Sequence, residues 1–328
     1  MKNKYNNIPF PDTMCDKVKV QELDSATQEL IKSVYKGQTY ARFGDTGYLL
    51  PASYKDDADQ NRHMTVRPDD VWLASYPRSG THWTLELIWL LMNDIDFDAS
   101  LKTPLHKKGV NLESKHSPSR EYLQRIAVFY EESINGPSPR LIYTHIPFSL
   151  LPPHLLDTAK VVYIARDPRD VAVSYYHLHR LLYIYSSDFK TFWNLFLNNF
   201  LRFTPYFPHV KEAWALRHHP NMLFIFYEDM KKDLPSCIRR LADFLSKEVT
   251  DEQMVKLCEH LDIENFRKNE SINPQWVNNI NNAAEGFVRK GISGGWREYF
   301  DEDMATQAQR WVDDNLAGSD LRFPAHTV

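Results

Sequence analysis

Cysteine is scarce in this chain of 328 residues: it has three, Cys15, Cys237 and Cys258, and none lies in a CxxC or Cys/His pattern. This number and spacing predict neither a disulfide framework nor a zinc site. Long apolar runs are missing as well. The longest one near the motif described below, residues 87–92, is far shorter than the roughly 20 residues that cross a membrane.

Three further absences narrow the class of protein. The first 20 residues, MKNKYNNIPFPDTMCDKVKV, lack the apolar core of a signal peptide, so we expect a cytoplasmic protein that does not engage a membrane. No linker-like run, low-complexity tract or repeat interrupts the chain, which favours a single domain. The net charge of −4 argues against general nucleic-acid binding but leaves room for one basic pocket.

What the sequence does contain is an alternation of apolar strands and helices. Four apolar runs predict strands. Helices are expected over residues 82–93, from an N-cap at Asp170 and from Pro235, and a short helix is expected over residues 25–35. The rest of the first seventy residues predicts little regular structure, with YLLPASY (48–54) either a short strand or a buried loop. The strands are 71–76, 140–146, 160–165 and 222–227. This order predicts an α/β fold, a central parallel sheet with helices on both faces.

A polar side chain follows each predicted strand. Arg78, His145, Arg166 and Tyr227 lie at or just past the carboxyl end of one strand each. Ligands bind beyond these ends in parallel sheets, so we expect the four side chains to converge on one site. A lone histidine beside an apolar run is more often structural. The convergence instead makes His145 a candidate acceptor of a hydroxyl proton.

The turn after the first strand, YPRSGTHW (76–83), has the layout of a phosphate cradle, in which N–H groups at a helix start face an anion. In the G-x-x-x-x-G-K-[ST] pattern, Ser75 and Gly80 take the glycine positions, but Thr81 replaces the lysine and His82 the magnesium-binding hydroxyl. We therefore expect a phosphate or sulfonyl group held without metal. A nucleoside kinase is disfavoured, and an ordinary strand–helix turn is the structural alternative.

Two later segments offer further anion ligands. In ARDPRDVAVSYYH, Arg166 and Ser174 would clamp a monophosphate, unless the arginine merely pairs with a neighbouring aspartate. In FVRKGISGGW, the side chains of Arg289 and Lys290 and the backbone of Gly291 would wrap an anion or form a basic surface turn.

The aromatic stretch over residues 181–207 is expected to be mostly core. Two of its members, Phe192 and Phe196, are expected to line an apolar acceptor site.

Together these segments resemble the cytosolic sulfotransferase family. Its Y-P-K-S-G-T-T-W loop is similar to YPRSGTHW, its K-T-H strand end to YTH, and its R-K-G-x-x-G-D-W-K segment to RKGISGGWR. The segment FYEDM is also familiar from the family, and the resemblance spans residues 71–300 in the family's order. WREYFDEDM and the long N-terminal extension resemble insect members, including the retinol dehydratase type, which sulfonates an alcohol and then eliminates the sulfate.

The resemblance implies transfer of a sulfonate group from 3′-phosphoadenosine 5′-phosphosulfate (PAPS) to a phenol or alcohol hydroxyl of a small, largely apolar acceptor, by in-line displacement and without metal. The desulfonated nucleotide PAP would be released. His145 would be the general base, and Arg78 would stabilise charge on the bridging oxygen of the leaving group. The implied donor-binding residues are Arg78, Ser79, Gly80, Thr81, His82, Trp83, Arg166, Ser174, Tyr227, Arg289, Lys290 and Gly291, and the implied acceptor-binding residues are Tyr143, Phe148, Phe192 and Phe196.

This chain departs from the family pattern at the site itself. Arg78 stands in place of the loop lysine, Tyr143 in place of the lysine of K-T-H, His82 in place of a hydroxyl and Gly295 in place of the aspartate of G-D-W. Arginine keeps the positive charge, so we expect an active enzyme. The alternative is a protein that binds PAPS or PAP and turns over weakly or not at all.

For domain organisation, we expect an N-terminal extension, 1–65, packed on a sulfotransferase domain, 66–328, within one structural domain. The family's dimer motif, K-x-x-x-T-V-x-x-x-E, is not recognisable in WREYFDEDMATQAQRW, so monomer and dimer both stay open. The acceptor also stays open among phenols, catecholamines, steroids and retinoids.

Overall fold

The computed structural model describes residues 17–116, 130, 132–182, 185–273 and 286–325, and Cys15 lies outside these ranges. Two sheets organise the described chain: an antiparallel one of order β1-β2-β3 and a parallel one of order β5-β6-β4-β7-β8. The strands are β1 Val20–Glu22, β2 Tyr40–Phe43, β3 Tyr48–Pro51, β4 Val71–Ser75, β5 Val110–Asn111, β6 Leu141–Thr144, β7 Lys160–Ala165 and β8 Met222–Phe226.

Helices connect and cover the strands. They are α1 Ser25–Val34, α2 Lys55–Arg62, α3 Thr81–Met92, α4 Phe97–Lys102, α5 Leu105–Lys108, α6 Leu155–Thr158, α7 Pro168–Leu182, α8 Phe189–Leu197, α9 Tyr206–Ala215, α10 Tyr227–Lys232, α11 Leu234–Leu245, α12 Asp251–His260, α13 Ile263–Lys268 and α14 Glu302–Leu316. Short 3₁₀ turns lie at Ala52–Tyr54, Ser114–His116, Phe148–Leu150 and Gly295–Glu298.

The parallel sheet is buried on both faces. Successive side chains of a strand point to opposite faces, and on β4 the side chains of Trp72 and Ala74 join one apolar cluster while Leu73 joins another. Helix α3 supplies Leu85 and Ile88 to the second cluster. Such double coverage explains the continuous apolar strands and confirms the predicted α/β fold.

The predicted elements exist, but some boundaries were wrong. β6 ends at Thr144 and β8 at Phe226, so His145 and Tyr227 follow their strands directly. Asp170 is not an N-cap, because α7 begins at Pro168, whose fixed φ suits a first turn. Its carboxylate instead accepts hydrogen bonds from backbone N–H groups of a distant loop.

The first seventy residues are more regular than expected. YLLPASY forms β3 and the 3₁₀ turn after it, and β3 joins the main domain through bonds from Leu49 N–H to Thr204 O (2.9 Å) and from Phe203 N–H to Leu49 O (2.8 Å). The buried side chains of the first seventy residues include several tyrosines, for example Tyr40 and Tyr48, whose rings pack as apolar groups although each side chain carries a hydroxyl. The division between 1–65 and 66–328 stays a prediction.

Among the helices described, none is both long and apolar enough to cross a membrane. The cytoplasmic location stays a prediction. Cys237 and Cys258 carry free thiols.

Candidate active site

The carboxyl ends of the parallel strands open onto a cavity of about 650 Å³. Arg78, His145, Arg166 and Tyr227 all line it, since parallel strands end at one edge of the sheet. The wall also includes these predicted residues: Gly80, Thr81, His82, Trp83, Tyr143, Ser174, Arg289 and Gly291. The convergence expected from the sequence is therefore present.

The turn between β4 and α3 has an unusual backbone. Arg78 (φ 69°) and Gly80 (φ 106°) are both left-handed, and a Cβ at Gly80 would lie 2.9 Å from the ring of Tyr227, so glycine is required there. The Oγ of Ser79 is buried beside this helix start and has no hydrogen-bond partner in the part of the chain that the structure describes. An orphan hydroxyl at a helix N-terminus fits an oxyanion of the donor.

Arginine side chains surround the turn and bond to neutral groups. Arg78 donates from Nε to Ser174 Oγ and from Nη2 to Phe287 O, both at 3.0 Å. Arg166 donates to Arg78 O (3.1 Å) and Ile292 O (2.8 Å), and its buried Nε has no hydrogen-bond partner among the described residues. Burial, then repulsion from Arg166 and Arg289, lowers the pKa of Arg78 to about 9, so it is still a cation at neutral pH. Among the described residues neither Arg78 nor Arg166 has an ion-pair partner, and their positive charge suits an anion.

The predicted alternative for Arg166, pairing with an adjacent aspartate, is not observed. Asp167 instead forms an ion pair with Arg169 at 2.5 Å, and Arg166 lies over the ring of Tyr227 at 4.2 Å. Arg166 is thus kept at the cavity by ring and backbone contacts.

His145 is held as a neutral imidazole with one nitrogen available. Its Nδ1 is 2.9 Å from the carbonyl oxygen of Ser75, so Nδ1 carries the hydrogen and Nε2 keeps its lone pair. Burial lowers the pKa of His145 to about 4, with Arg202 and Arg78 lowering it further and the Ser75 bond opposing them. Such an imidazole can accept a proton at neutral pH.

Aromatic side chains also pack around the turn. Trp83 meets Tyr227 edge to face at 5.6 Å and donates from Nε1 to Leu261 O at 2.9 Å. His82 stacks on Phe287 at 4.9 Å, and burial lowers its pKa to about 3, which keeps it uncharged. These rings can contact a flat nucleobase.

Five predicted site residues do not line the cavity wall, and one of them is Ser79, which is fully buried in the turn beneath it. Phe192 and Phe196 face inward from the amphipathic helix α8 and pack in the aromatic core, and Phe148 packs against Tyr163 at 6.2 Å. Lys290 is exposed and pairs with Glu298 at 2.6 Å. The sequence shows that the three phenylalanine rings are apolar, but it does not show whether each ring lies in the core or at the cavity wall.

Sequence reasoning missed several residues of the wall. Glu113 and Arg202 are buried and line it, and apolar side chains lie nearby: Tyr175, Leu178, Leu182 and Phe203. A glutamate just after a two-residue strand gives no periodic signal, so the sequence offered no basis for choosing Glu113.

The glycine-rich loop that carries Arg289 and Gly291 is anchored by side chains of other segments. Asp170 accepts from Gly294 N–H (2.6 Å) and Trp296 N–H (2.9 Å), and Arg267 donates to Arg289 O at 2.8 Å. These bonds place the loop against the start of α7, next to Ser174.

A sequence profile described as "Sulfotransferase domain" matches residues 68–320. The chain therefore belongs to the sulfotransferase family. It is a PAPS-dependent sulfotransferase that uses PAPS as donor and yields PAP.

Individual relatives agree with this assignment. Luciferin sulfotransferase of Photinus pyralis is 32% identical, with 93% of this chain and 88% of that protein covered. Sulfotransferase 1A1 of Canis lupus familiaris is 33% identical over 80% of this chain and 91% of its own. The crystal structure of retinol dehydratase with retinol and PAP has a TM-score of 0.86 and 42% identity, with 94% of this chain and 99% of that one covered.

We predict that Asp170→Ala weakens binding of PAP about tenfold or more, because it removes two charge-assisted bonds that hold the glycine-rich loop. Isothermal calorimetry with PAP measures the effect. Asp303→Ala, an exposed aspartate in the first turn of α14, is the matched control and should leave the affinity unchanged. Equal affinity in both variants would show that the loop does not depend on Asp170.

Proposed function

We propose that this enzyme transfers the sulfonate group of PAPS to a phenol or alcohol hydroxyl of a small, mostly apolar acceptor, with His145 as general base. The observation that carries the proposal is the fixed tautomer of His145, whose Nε2 lone pair is available at the cavity. The acceptor oxygen attacks sulfur in line as His145 takes its proton, and the bond from sulfur to the bridging oxygen breaks.

The cavity that His145 lines has an apolar part, which supports an apolar acceptor. Tyr143, Tyr175, Leu178, Leu182 and Phe203 line it. Such a wall contributes binding free energy through burial of apolar surface and fixes few polar contacts. Retinol and androsterone are bound in crystal structures of retinol dehydratase, a 42% identical protein, which makes alcohols of this kind reasonable acceptors to test.

Donor binding is proposed for residues of the cradle and of the glycine-rich loop. Ser79 and the amides at the start of α3 would bind the phosphosulfate, and Trp83 with Tyr227 would contact the adenine. The 3′-phosphate would be bound by Arg166, Ser174, Arg289 and Gly291, with Lys290 turned outward in the present arrangement. The unpartnered Oγ of Ser79 and Nε of Arg166 support this assignment.

The second candidate is a protein that binds the nucleotide but transfers sulfonate weakly. It is favoured by the two bonds of Arg78 to Ser174 and Phe287 O, which hold the guanidinium in place. To stabilise charge on the bridging oxygen of the donor, Arg78 would have to break or share one of these two hydrogen bonds.

Replacement of His145 by alanine is expected to lower kcat by 10²- to 10⁴-fold, because the base that takes the acceptor proton is lost. The assay is transfer of labelled sulfonate from PAPS, without added metal, to a simple phenol, a catecholamine, retinol, androsterone and luciferin. His106→Ala, which changes another histidine of the same cavity, should stay within about threefold of wild type. Full activity of His145→Ala would exclude it as the base.

The products of the same assay separate transfer from elimination. A stable sulfate ester indicates transfer alone, whereas free sulfate with a dehydrated acceptor indicates the reaction that gives retinol dehydratase its name.

Arg78→Lys is expected to change kcat by less than about threefold, because both residues supply the positive charge, whereas Arg78→Gln should lose on the order of 10²-fold. Steady-state kinetics with the best acceptor of the panel measures both variants. A gain above about tenfold in Arg78→Lys would instead favour the weakly active binder.

The pH profile of kcat/KM for the acceptor should have its acid limb between pH 4 and 6.5. The neutral imidazole is the reactive form, so the rate declines as the pH falls through the pKa of His145. Burial sets that pKa to about 4, and the negative charge of bound donor raises it toward the ordinary value of about 6.5. A midpoint clearly above 6.5, measured at saturating PAPS, would contradict this environment for His145.

A further inference from the structure

The backbone of His145 is bonded by side chains on both sides of the residue. His145 follows the last residue of β6, and its N–H donates to Oε1 of Glu113. Its carbonyl oxygen is 2.8 Å from Nε2 of His209. Glu113 (5% exposed) and His209 (0% exposed) are titratable groups that the proposed reaction does not use, and burying them has a cost unless they are bonded.

Glu113 fixes the chain on the N-terminal side of the base. The same oxygen that binds His145 N–H also accepts from Thr144 Oγ at 2.9 Å, and that hydroxyl in turn accepts from Ile146 N–H at 2.9 Å. One carboxyl oxygen of Glu113 therefore fixes residues 144–146, directly or through the Thr144 hydroxyl, at the point where β6 ends.

His209 fixes the chain on the C-terminal side. Its Nε2 faces a carbonyl oxygen and must carry the hydrogen, so its Nδ1 accepts the hydroxyl hydrogen of Tyr163 at 2.8 Å. Burial lowers the pKa of His209 to about 4, which keeps this neutral tautomer at the working pH. Tyr163 on β7 and His209 on α9 thus connect His145 to β7, which lies two strands away from β6 in the sheet.

We propose that Glu113 and His209 are positioning residues, which hold the backbone of His145 so that its Nε2 points at the acceptor hydroxyl. The inference rests on the proposed role of His145. The Ser75 carbonyl holds Nδ1, Glu113 the amide and His209 the carbonyl group, so the residue is fixed at three points and Nε2 is left for the substrate. Reaction rates depend steeply on such placement, and a shift of about 1 Å can cost on the order of 10²-fold.

The test compares an apolar and a conservative replacement at each position. His209→Leu and Glu113→Leu remove the bonds, whereas His209→Gln keeps a donor near Nε2 and Glu113→Gln keeps an acceptor oxygen. We expect the leucine variants to lose ten- to a hundredfold in kcat, with the Kd of PAP within about twofold, and the glutamine variants to recover most of that loss.

A matched control separates positioning from general loosening of the fold. His179 is also fully buried and bonded through both nitrogens, to Tyr175 O (2.8 Å) and Tyr35 OH (3.0 Å), but it does not line the cavity. His179→Leu should lower the melting temperature without the loss in kcat, with all assays run well below the lowest melting temperature. Equal losses of kcat in His179→Leu and His209→Leu would overturn the proposal.

The double variant His145→Ala/His209→Leu decides whether the effect acts through the base. The single-turnover rate of the double variant should be within about twofold of the rate of His145→Ala alone. With the imidazole already removed, the loss of the His209 bond has no base left to displace. If His209→Leu lowers the rate of His145→Ala by as large a factor as it lowers the rate of the wild-type enzyme, the inference is overturned.

The failure of this inference differs from a failure of the proposed function. If His145→Ala is inactive but both leucine variants keep wild-type kcat, the proposed role of His145 as general base is supported and the positioning role of Glu113 and His209 is wrong. If His145→Ala is fully active, the base itself is wrong.

Discussion

The parallel direction of five strands is the constraint on which the site depends. Because β4, β6, β7 and β8 all run the same way, the residues that follow them leave the sheet at one edge. Arg78, His145, Arg166 and Tyr227 come from positions up to 149 residues apart and yet line one cavity. A covered sheet makes this edge rigid, since its apolar strands pack on both faces.

The proposed donor site brings together like charges, which the fold alone keeps close to one another. Arg78 and Arg166 form no ion pair among the described residues, and they bond instead to backbone carbonyls and to the Ser174 hydroxyl. Their mutual repulsion is part of what lowers the pKa of Arg78. An anionic ligand would relieve this repulsion, so the same arrangement that is unfavourable without a ligand favours binding of a nucleotide with several phosphate charges. The structure also shows how arginine fits where the family has lysine: its planar group lies 4.9 Å from the Phe287 ring.

The proposed general base, His145, depends on a second set of contacts, at the end of β6. Ser75 O sets the tautomer of His145, and Glu113 and His209 bond to its backbone. These partners come from β4, from the segment after β5 and from α9. The proposed donor cradle is largely local to one turn, whereas the environment of the proposed base is assembled from distant segments.

The sequence by itself determined the order of four of the five parallel strands, the strand–turn–helix layout around YPRSGTHW and the family, because periodicity, that turn and the RKG segment are local patterns. It also placed His145 and Arg166 at strand ends, which suffices for convergence once the strands are parallel. Only the tertiary structure decided which aromatic rings face the cavity: Phe203 does, while Phe192 and Phe196 are buried in the core. Glu113, too, became visible only in three dimensions. Burial and hydrogen-bond partners depend on which distant segments meet, and no local pattern in the chain encodes that meeting.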